Sequence, residues 1–452
     1  MAAEAAKPGS APKRKYAPDR VIDVVHLKLE ITPDFDTQEL TGRATLEFTP
    51  IARPLRQLRL DARDLQIGSI ESSHEVAAYQ MVEGLEITFV EAISAGEEAQ
   101  VSIDYVVSPK RGLYFRSAAM GYAKGDEQLW TQGEPQDHRF WYPCHDYPNE
   151  KFTTEVICHV PTGMTVLSNG HLVSENADPA SGLTTFHWLQ DKVHVNYLVS
   201  LVAGYFEKLE DKHGDLPIAL YVPPSKKAVA HNTFRDTKKI LAFFEEEIGV
   251  SYPWDKYYNV CAIDYMMGGM ENTSLTTLTL KTLFPDEMEN LRSSRSLDAH
   301  EAAHQWFGDL VTCRDWSHIW LNEGFATYYS LLYDRHAIGE DFFKYGLYRN
   351  AQGIFRHDED IIPMVYRGYG NPMEQFSFRA YPKGGWVLHM LRVQLGEDLF
   401  RRCVKTYLER HAYGTVVTQD LVEIFEELSG QSLSQFFDQW VYLSGYPSLK
   451  VD

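Results

Sequence analysis

The sequence predicts an α+β chain of more than one domain, an antiparallel β-rich part followed by a mainly α-helical part, and three observations predict it. Apolar residues alternate with polar ones through the first part: Val25, Leu27, Leu29 and Ile31; Leu46 and Phe48; Leu85, Ile87 and Phe89; Val101, Ile103 and Tyr105. A period of two puts alternate side chains on one face of a pleated strand, which reads as antiparallel sheet. From Asn232 to Ile248 the spacing becomes helical, with Phe234, Ile240, Leu241 and Phe244 at its apolar positions, and mostly helical segments follow to about Leu443. Finally, 452 residues that are 44 % hydrophobic and 13 % aromatic can bury a large core, enough for two to four domains.

Taken in order, residues 1–20 are rich in Ala, Pro, Lys and Ser with little to bury, and are expected to form a disordered tail. Residues 21–205 form the β-rich domain, its later strands separated by turn clusters such as Thr162-Gly163 and Ser168-Asn169-Gly170, and its last strand, near Tyr197 to Val202, closing at Gly204. Residues 206–443 form the helical domain. Residues 444–452 turn at Gly445-Tyr446-Pro447 into Ser448-Leu449-Lys450-Val451, which reads as the opening of a strand belonging to a further, absent β domain. The chain carries no internal repeat of 20 to 50 residues.

A formal net charge of -20 with no basic run excludes nucleic acid as a partner and would draw in cationic ligands such as a free amino terminus. The five cysteines are scattered, so they read as buried free thiols rather than a disulfide framework. No run of about 18 apolar residues is present to span a bilayer, and the first residues lack the apolar core of an export signal. A soluble cytoplasmic protein without a membrane partner is expected, unless a leader has been removed. The residues do not bear on oligomeric state.

The most informative stretch is His300-Glu301-Ala302-Ala303-His304, preceded by the helix-starting Ser296 and Asp298 and followed by Trp306-Phe307. Four residues make close to one helical turn, so both imidazoles project from one face and can hold one cation through ring nitrogens about 2.0–2.1 Å away. Glu301 lies about 100° around the helix, beside the metal rather than on it, where a base for metal-bound water belongs. With 17 histidines the pattern alone is not diagnostic, and a catalytic zinc needs a third protein ligand. Glu323 supplies it, in Trp320-Leu321-Asn322-Glu323-Gly324-Phe325-Ala326-Thr327-Tyr328-Tyr329, an apolar and aromatic run in which an unpaired carboxylate would be costly.

These blocks, H-E-A-A-H-Q-W-F-G and W-L-N-E-G-F-A-T-Y, together with Gly268-Gly269-Met270-Glu271-Asn272 upstream, resemble the zinc metallopeptidases of the aminopeptidase N and leukotriene A hydrolase family, in that family's order and spacing. The resemblance runs from about residue 20 to the end of the chain. It implies a thermolysin-like catalytic domain, one catalytic Zn²⁺ held by His300, His304 and Glu323, and Glu301 as general base. It further implies that Gly268, Gly269 and Met270 let an extended substrate backbone approach a strand edge while Glu271 grips its ammonium group. Read from the residues alone, Glu271 could equally be a solvated acid after a turn, and Gln132-Gly133-Glu134 a polar turn before Pro135; the resemblance makes Gln132 and Glu134 a second hold on the amine. Tyr381, one among 26 tyrosines, becomes the donor to the oxyanion because Lys383-Gly384 follows it as in the family. Met267 is expected to line the first side-chain pocket. Asp309, where relatives often carry Asn, and Pro382, where they often carry an acid, depart from the pattern without removing a catalytic group.

The expected activity is therefore removal of single residues from peptides with free N-termini. Three other readings remain at this point: a lipid-epoxide hydrolase like the leukotriene branch, which would need a long apolar channel; a non-catalytic scaffold, against which the retained residues argue; and an endopeptidase of the thermolysin type, which would not need acids to bind an amine.

Overall fold

The computed structural model describes residues 13–288, 291–357 and 362–446. Its first part is built on the strand Ile22–Asp34, which pairs antiparallel with Glu39–Pro50 and parallel with Lys151–Pro161 at the centre of a seven-stranded sheet. The alternation is realised from Leu27 onward, where Leu27, Leu29 and Ile31 are buried and Glu30 between them is exposed, whereas a register shift between Val24 and His26 leaves Val25 exposed and buries Val24 instead. A three-stranded sheet packs nearby, and a four-stranded sheet contains Gln128–Thr131 and Leu201–Gly204, every residue of both strands being buried. The strand Gln128–Thr131 ends where Gln132 and Glu134 begin, so the β-rich part presents these two side chains at the rim of its most buried sheet.

A β-rich domain followed by a helical catalytic domain is the fold class expected, but the second part holds a sheet that the helical reading overlooked. Five strands, Glu207–His213, Leu216–Val222, Tyr257–Ala262, Leu275–Thr279 and the short Gly269–Met270, lie in that order across it. The central pairings are parallel and Gly269–Met270 closes one edge antiparallel to Leu275–Thr279. The physical reason for the oversight is burial on both faces: every residue of Leu275–Thr279 is buried, so no polar alternation marks the strand.

The helices Arg295–His304 and Trp320–Ala337 run antiparallel: Ser296 Oγ near the start of the first donates to Asp334 Oδ2 near the end of the second at 2.7 Å. The helix Gly384–Leu395 crosses the second of these where glycine meets glycine; a Cβ placed on Gly324 would lie 2.9 Å from the Cα of Gly384. Gly324→Ala is therefore expected to force two backbones apart, destabilise the chain by about 1–3 kcal/mol and lower its melting temperature, measured by thermal unfolding.

One apolar core runs through both parts. Polar bonds also cross between them: half-buried Lys151 Nζ donates to the carbonyls of Asp309 at 2.7 Å and Leu310 at 3.0 Å, and Trp130 Nε1 donates to the carbonyl of Ile263 at 3.0 Å. Burial drives the Lys151 ammonium down to about 7 even though Asp309 opposes the shift. All five cysteines are buried and free.

The expected tail lies outside the described residues as far as residue 12. From Lys13 to Arg20 the chain has no regular secondary structure, yet it is fastened rather than loose: Lys15 N donates to the Arg367 carbonyl at 2.7 Å, Asn149 Nδ2 to the Pro18 carbonyl at 3.0 Å, and Arg20 pairs with Glu150. The strand expected after Pro447 lies outside the described residues. Among the described residues, no helix is long and apolar enough to cross a membrane.

Candidate active site

The metal motif occupies the last turns of Arg295–His304, a helix pinned by buried Asp298, which accepts from Thr237 Oγ1 at 2.6 Å and Asn259 Nδ2 at 3.3 Å. One turn apart, His300 and His304 bring their Nε2 atoms to 3.1 Å. His304 Nδ1 lies 2.8 Å from the Phe307 carbonyl, an acceptor only, so the ring proton sits on Nδ1 and the Nε2 lone pair faces the centre. Glu323, in the first turn of Trp320–Ala337, sets its Oε2 at 3.2 Å from His300 Nε2 and 3.3 Å from His304 Nε2.

These three ligand atoms lie within 4.8 Å of one another, and Glu323 Oε2 is buried without a hydrogen-bond partner. Electron-pair donors converging on one point, with an orphaned carboxylate oxygen among them, fit a divalent cation, and His₂Glu is a known catalytic zinc set. Burial pushes the Glu323 carboxyl up, but His304 and His300 outweigh it and hold the group below the usual carboxylate range.

Glu301 is turned aside from that point and is 4 % exposed. Burial, reinforced by Glu271 and Glu323 and only partly offset by His304, pushes its carboxyl well above the usual range. Its carboxylate rests against the edge strand: a Cβ on Gly269 would lie 2.4 Å from Glu301 Oε1, so only glycine allows strand and helix to approach this closely. Gly268, Gly269 and Met270 present their outer side to the cavity, since Gly269 and Met270 pair with Leu278 and Thr277 on the inner side alone.

Glu271 follows that strand directly. Its Oε1 and the Oε1 of Glu134 are both buried without a hydrogen-bond partner, and the carboxylates of Glu134, Glu271 and Glu323 come within 4.8 Å of one another. Burial raises both groups, Glu134 well above its usual range with Glu271 and Glu323 adding to the effect. Two acids whose Oε1 atoms have no hydrogen-bond partner thus lie together beside the cradle. Gln132 bridges to the same region, with Nε2 on Met270 Sδ at 3.2 Å and Oε1 accepting from the Tyr265 hydroxyl.

Tyr381 sits in Arg379–Lys383, a turn of π-helix that leads into Gly384–Leu395 and contains Pro382, which has no N–H to give. Its hydroxyl donates to Glu323 Oε1 at 3.0 Å, and its ring lies parallel to that of His300 with centroids 6.1 Å apart. Every site residue named from the sequence, Met267 included, lines one cavity of about 630 Å³. That cavity also takes in Ser296, read from the sequence only as a helix-starting residue, and Leu297, Thr327, Ser330, Met373 and Phe376, which sequence reasoning did not single out. Thr327 and Ser330 follow Glu323 at helical spacing and could have been found; Met373 and Phe376 come from an irregular segment and carried no such signal.

A His₂Glu cradle beside an uncommitted buried glutamate, on a β-rich domain joined to a helical one, defines the metallopeptidase class. Residues 23–198 match the peptidase M1 N-terminal domain and residues 232–440 the peptidase family M1 domain, and the chain belongs to peptidase family M1. It is 30 % identical over 442 residues to aminopeptidase M1 of Arabidopsis thaliana, covering 93 % of this chain and 50 % of that protein. It is 29 % identical over 472 residues to aminopeptidase M1-A of Oryza sativa subsp. japonica, covering 99 % and 52 %. With the mitochondrial aminopeptidase 2 of Saccharomyces cerevisiae it shares 26 % over 461 residues, covering 97 % and 48 %. The chain thus spans about half the length of the curated relatives it matches.

Proposed function

We propose that this chain is a zinc-dependent aminopeptidase that hydrolyses the first bond of peptides with free N-termini. The observation that carries the reading is the pair of unpartnered carboxylates, Glu134 from the β-rich part and Glu271 from the helical part, opposite the His₂Glu cradle in the same cavity. The relatives' names, all aminopeptidases, support it.

Zinc held by His300, His304 and Glu323 would polarise the scissile carbonyl and acidify a water molecule. Glu301 takes the proton from the attacking water and returns it to the leaving amine, a task suited to a carboxyl whose burial raises its affinity for protons. The Tyr381 hydroxyl exchanges its bond to Glu323 for one to the carbonyl oxygen as negative charge builds there. Glu271 and Glu134 hold the ammonium, Gln132 supports them, and the edge Gly268-Gly269-Met270 aligns the extended backbone beside Glu301. Met267 borders the first side chain. An acylated nitrogen would leave both acids desolvated and unpaired, which limits cleavage to one residue from a free terminus.

Aminoacyl chromogenic amides, each assayed with zinc beside its N-acetylated counterpart, test this reading. Cleavage confined to the free-amine substrates is expected. Comparable turnover of the acetylated series would make the chain an endopeptidase, and silence on every substrate despite bound zinc would remove the catalytic reading.

A further inference from the structure

Glu271 has a positioning problem. Its Oε1 has no hydrogen-bond partner, and the nearest opposite group, His304 Nδ1 at 3.8 Å, already serves the Phe307 carbonyl. The aim of that oxygen is therefore set by the backbone that carries it. That backbone, Glu271 to Ser274, leaves the edge strand and ends at Ser274 with φ 62, a left-handed conformation that serine adopts only under external constraint.

The constraint is one side chain. Gln305, the residue after His304 and fully buried, donates from Nε2 to the Glu271 carbonyl at 3.0 Å and accepts at Oε1 from Ser274 N at 2.9 Å. A single amide thus clamps both ends of the segment to the end of the metal helix. The amide's orientation follows from its partners, since Ser274 N can only donate and the Glu271 carbonyl can only accept; the Tyr252 hydroxyl lies between Oε1 at 3.2 Å and the Lys256 carbonyl at 2.8 Å. The far side of the segment is fastened separately: Asn169 Nδ2 donates to the Thr273 carbonyl at 2.8 Å, and Gly170 N and Lys256 Nζ donate to Ser274 Oγ at 2.9 and 3.0 Å.

We propose that Gln305 is a positioning residue for amine recognition, coupling the place of Glu271 to that of the metal ligand His304 so that the ammonium and the scissile carbonyl keep a fixed separation. The inference rests on the aminopeptidase reading and adds to it a residue that touches neither substrate nor metal. A clamp of this kind acts on the amine and leaves the rest of the ligand alone, which a merely structural role would not do.

The experiment compares leucinamide with 4-methylpentanamide, which lacks only the α-amino group, as inhibitors of the full chain loaded with zinc. In Gln305→Met the preference for leucinamide is expected to fall about tenfold, the size of one well-placed hydrogen bond with its charged dependant, while binding of 4-methylpentanamide and zinc content stay at wild-type values. In a Glu271→Gln background the same substitution should add nothing, because both act on one interaction. Equal weakening of the two amides, loss of zinc, or additive effects would overturn the proposal. If Gln305→Met does not fold, Gln305→Glu carries the same expectation, since it keeps the acceptor for Ser274 and removes the donor to Glu271. A wild-type chain that binds both amides equally would instead refute the aminopeptidase reading, and this proposal with it; wild-type preference retained in the variants refutes the clamp alone.

Discussion

Glu301→Gln is expected to bind zinc as the wild type does and to lose turnover by about 10²–10⁴-fold, the usual contribution of a positioned general base. Glutamine has the same shape, so the contact against Gly269 survives and the strand edge stays where it is. The three proposed metal ligands are untouched, because Glu301 lies outside the group formed by His300, His304 and Glu323. What disappears is the capacity to take a proton, so kcat should fall with KM nearly unchanged. Steady-state kinetics on an aminoacyl amide, with metal analysis on the same sample, measure both quantities. A variant that keeps kcat within a few-fold of wild type would take the base assignment away from Glu301.

Tyr381→Phe comes second in expected effect, a loss of about 10²–10³-fold in kcat, as found when an oxyanion donor is removed. The structure offers a competing role for this hydroxyl, since it donates to Glu323 Oε1 at 3.0 Å and could serve chiefly to orient a metal ligand. The two roles separate under saturating zinc. Loss of an oxyanion donor leaves kcat low however much zinc is supplied, whereas loss of an orienting bond weakens zinc binding and is rescued by excess metal. The parallel stacking of the ring on His300 is retained by phenylalanine, so packing does not confuse the comparison.

Strands of the first part such as Ile22–Asp34 were legible because they have one wet and one dry face: Leu27, Leu29 and Ile31 announce theirs by alternation, unlike Gln128–Thr131 and Leu201–Gly204, which are buried throughout. Leu275–Thr279 and Tyr257–Ala262 were not, since sheets covered on both sides replace alternation with apolar or hydroxyl-bearing runs that also suit buried helices. The same contrast governs the site. His300, His304 and Glu301 sit within one helical turn, so local periodicity places them relative to each other, and Glu323 betrayed itself as a charge in an apolar run. Glu134 and Glu271 meet only through tertiary structure, across 137 positions of sequence, and nothing local to either distinguishes it from a solvated acid. Lys15 and Arg20 illustrate the opposite error, a polar stretch with no core of its own that is nonetheless held by partners far along the chain.

The cavity draws its amine-facing acids from two domains, and this division has a consequence for how such a chain can change. On the proposed reading the bond-breaking groups and Glu271 belong to one body, and only Gln132 and Glu134 reach the amine from its neighbour. Substitutions that move Gln132 or Glu134 would alter that second hold without touching His300, His304 or Glu323. On the proposed reading, the grip on the amine and catalytic power are thereby in part separately heritable.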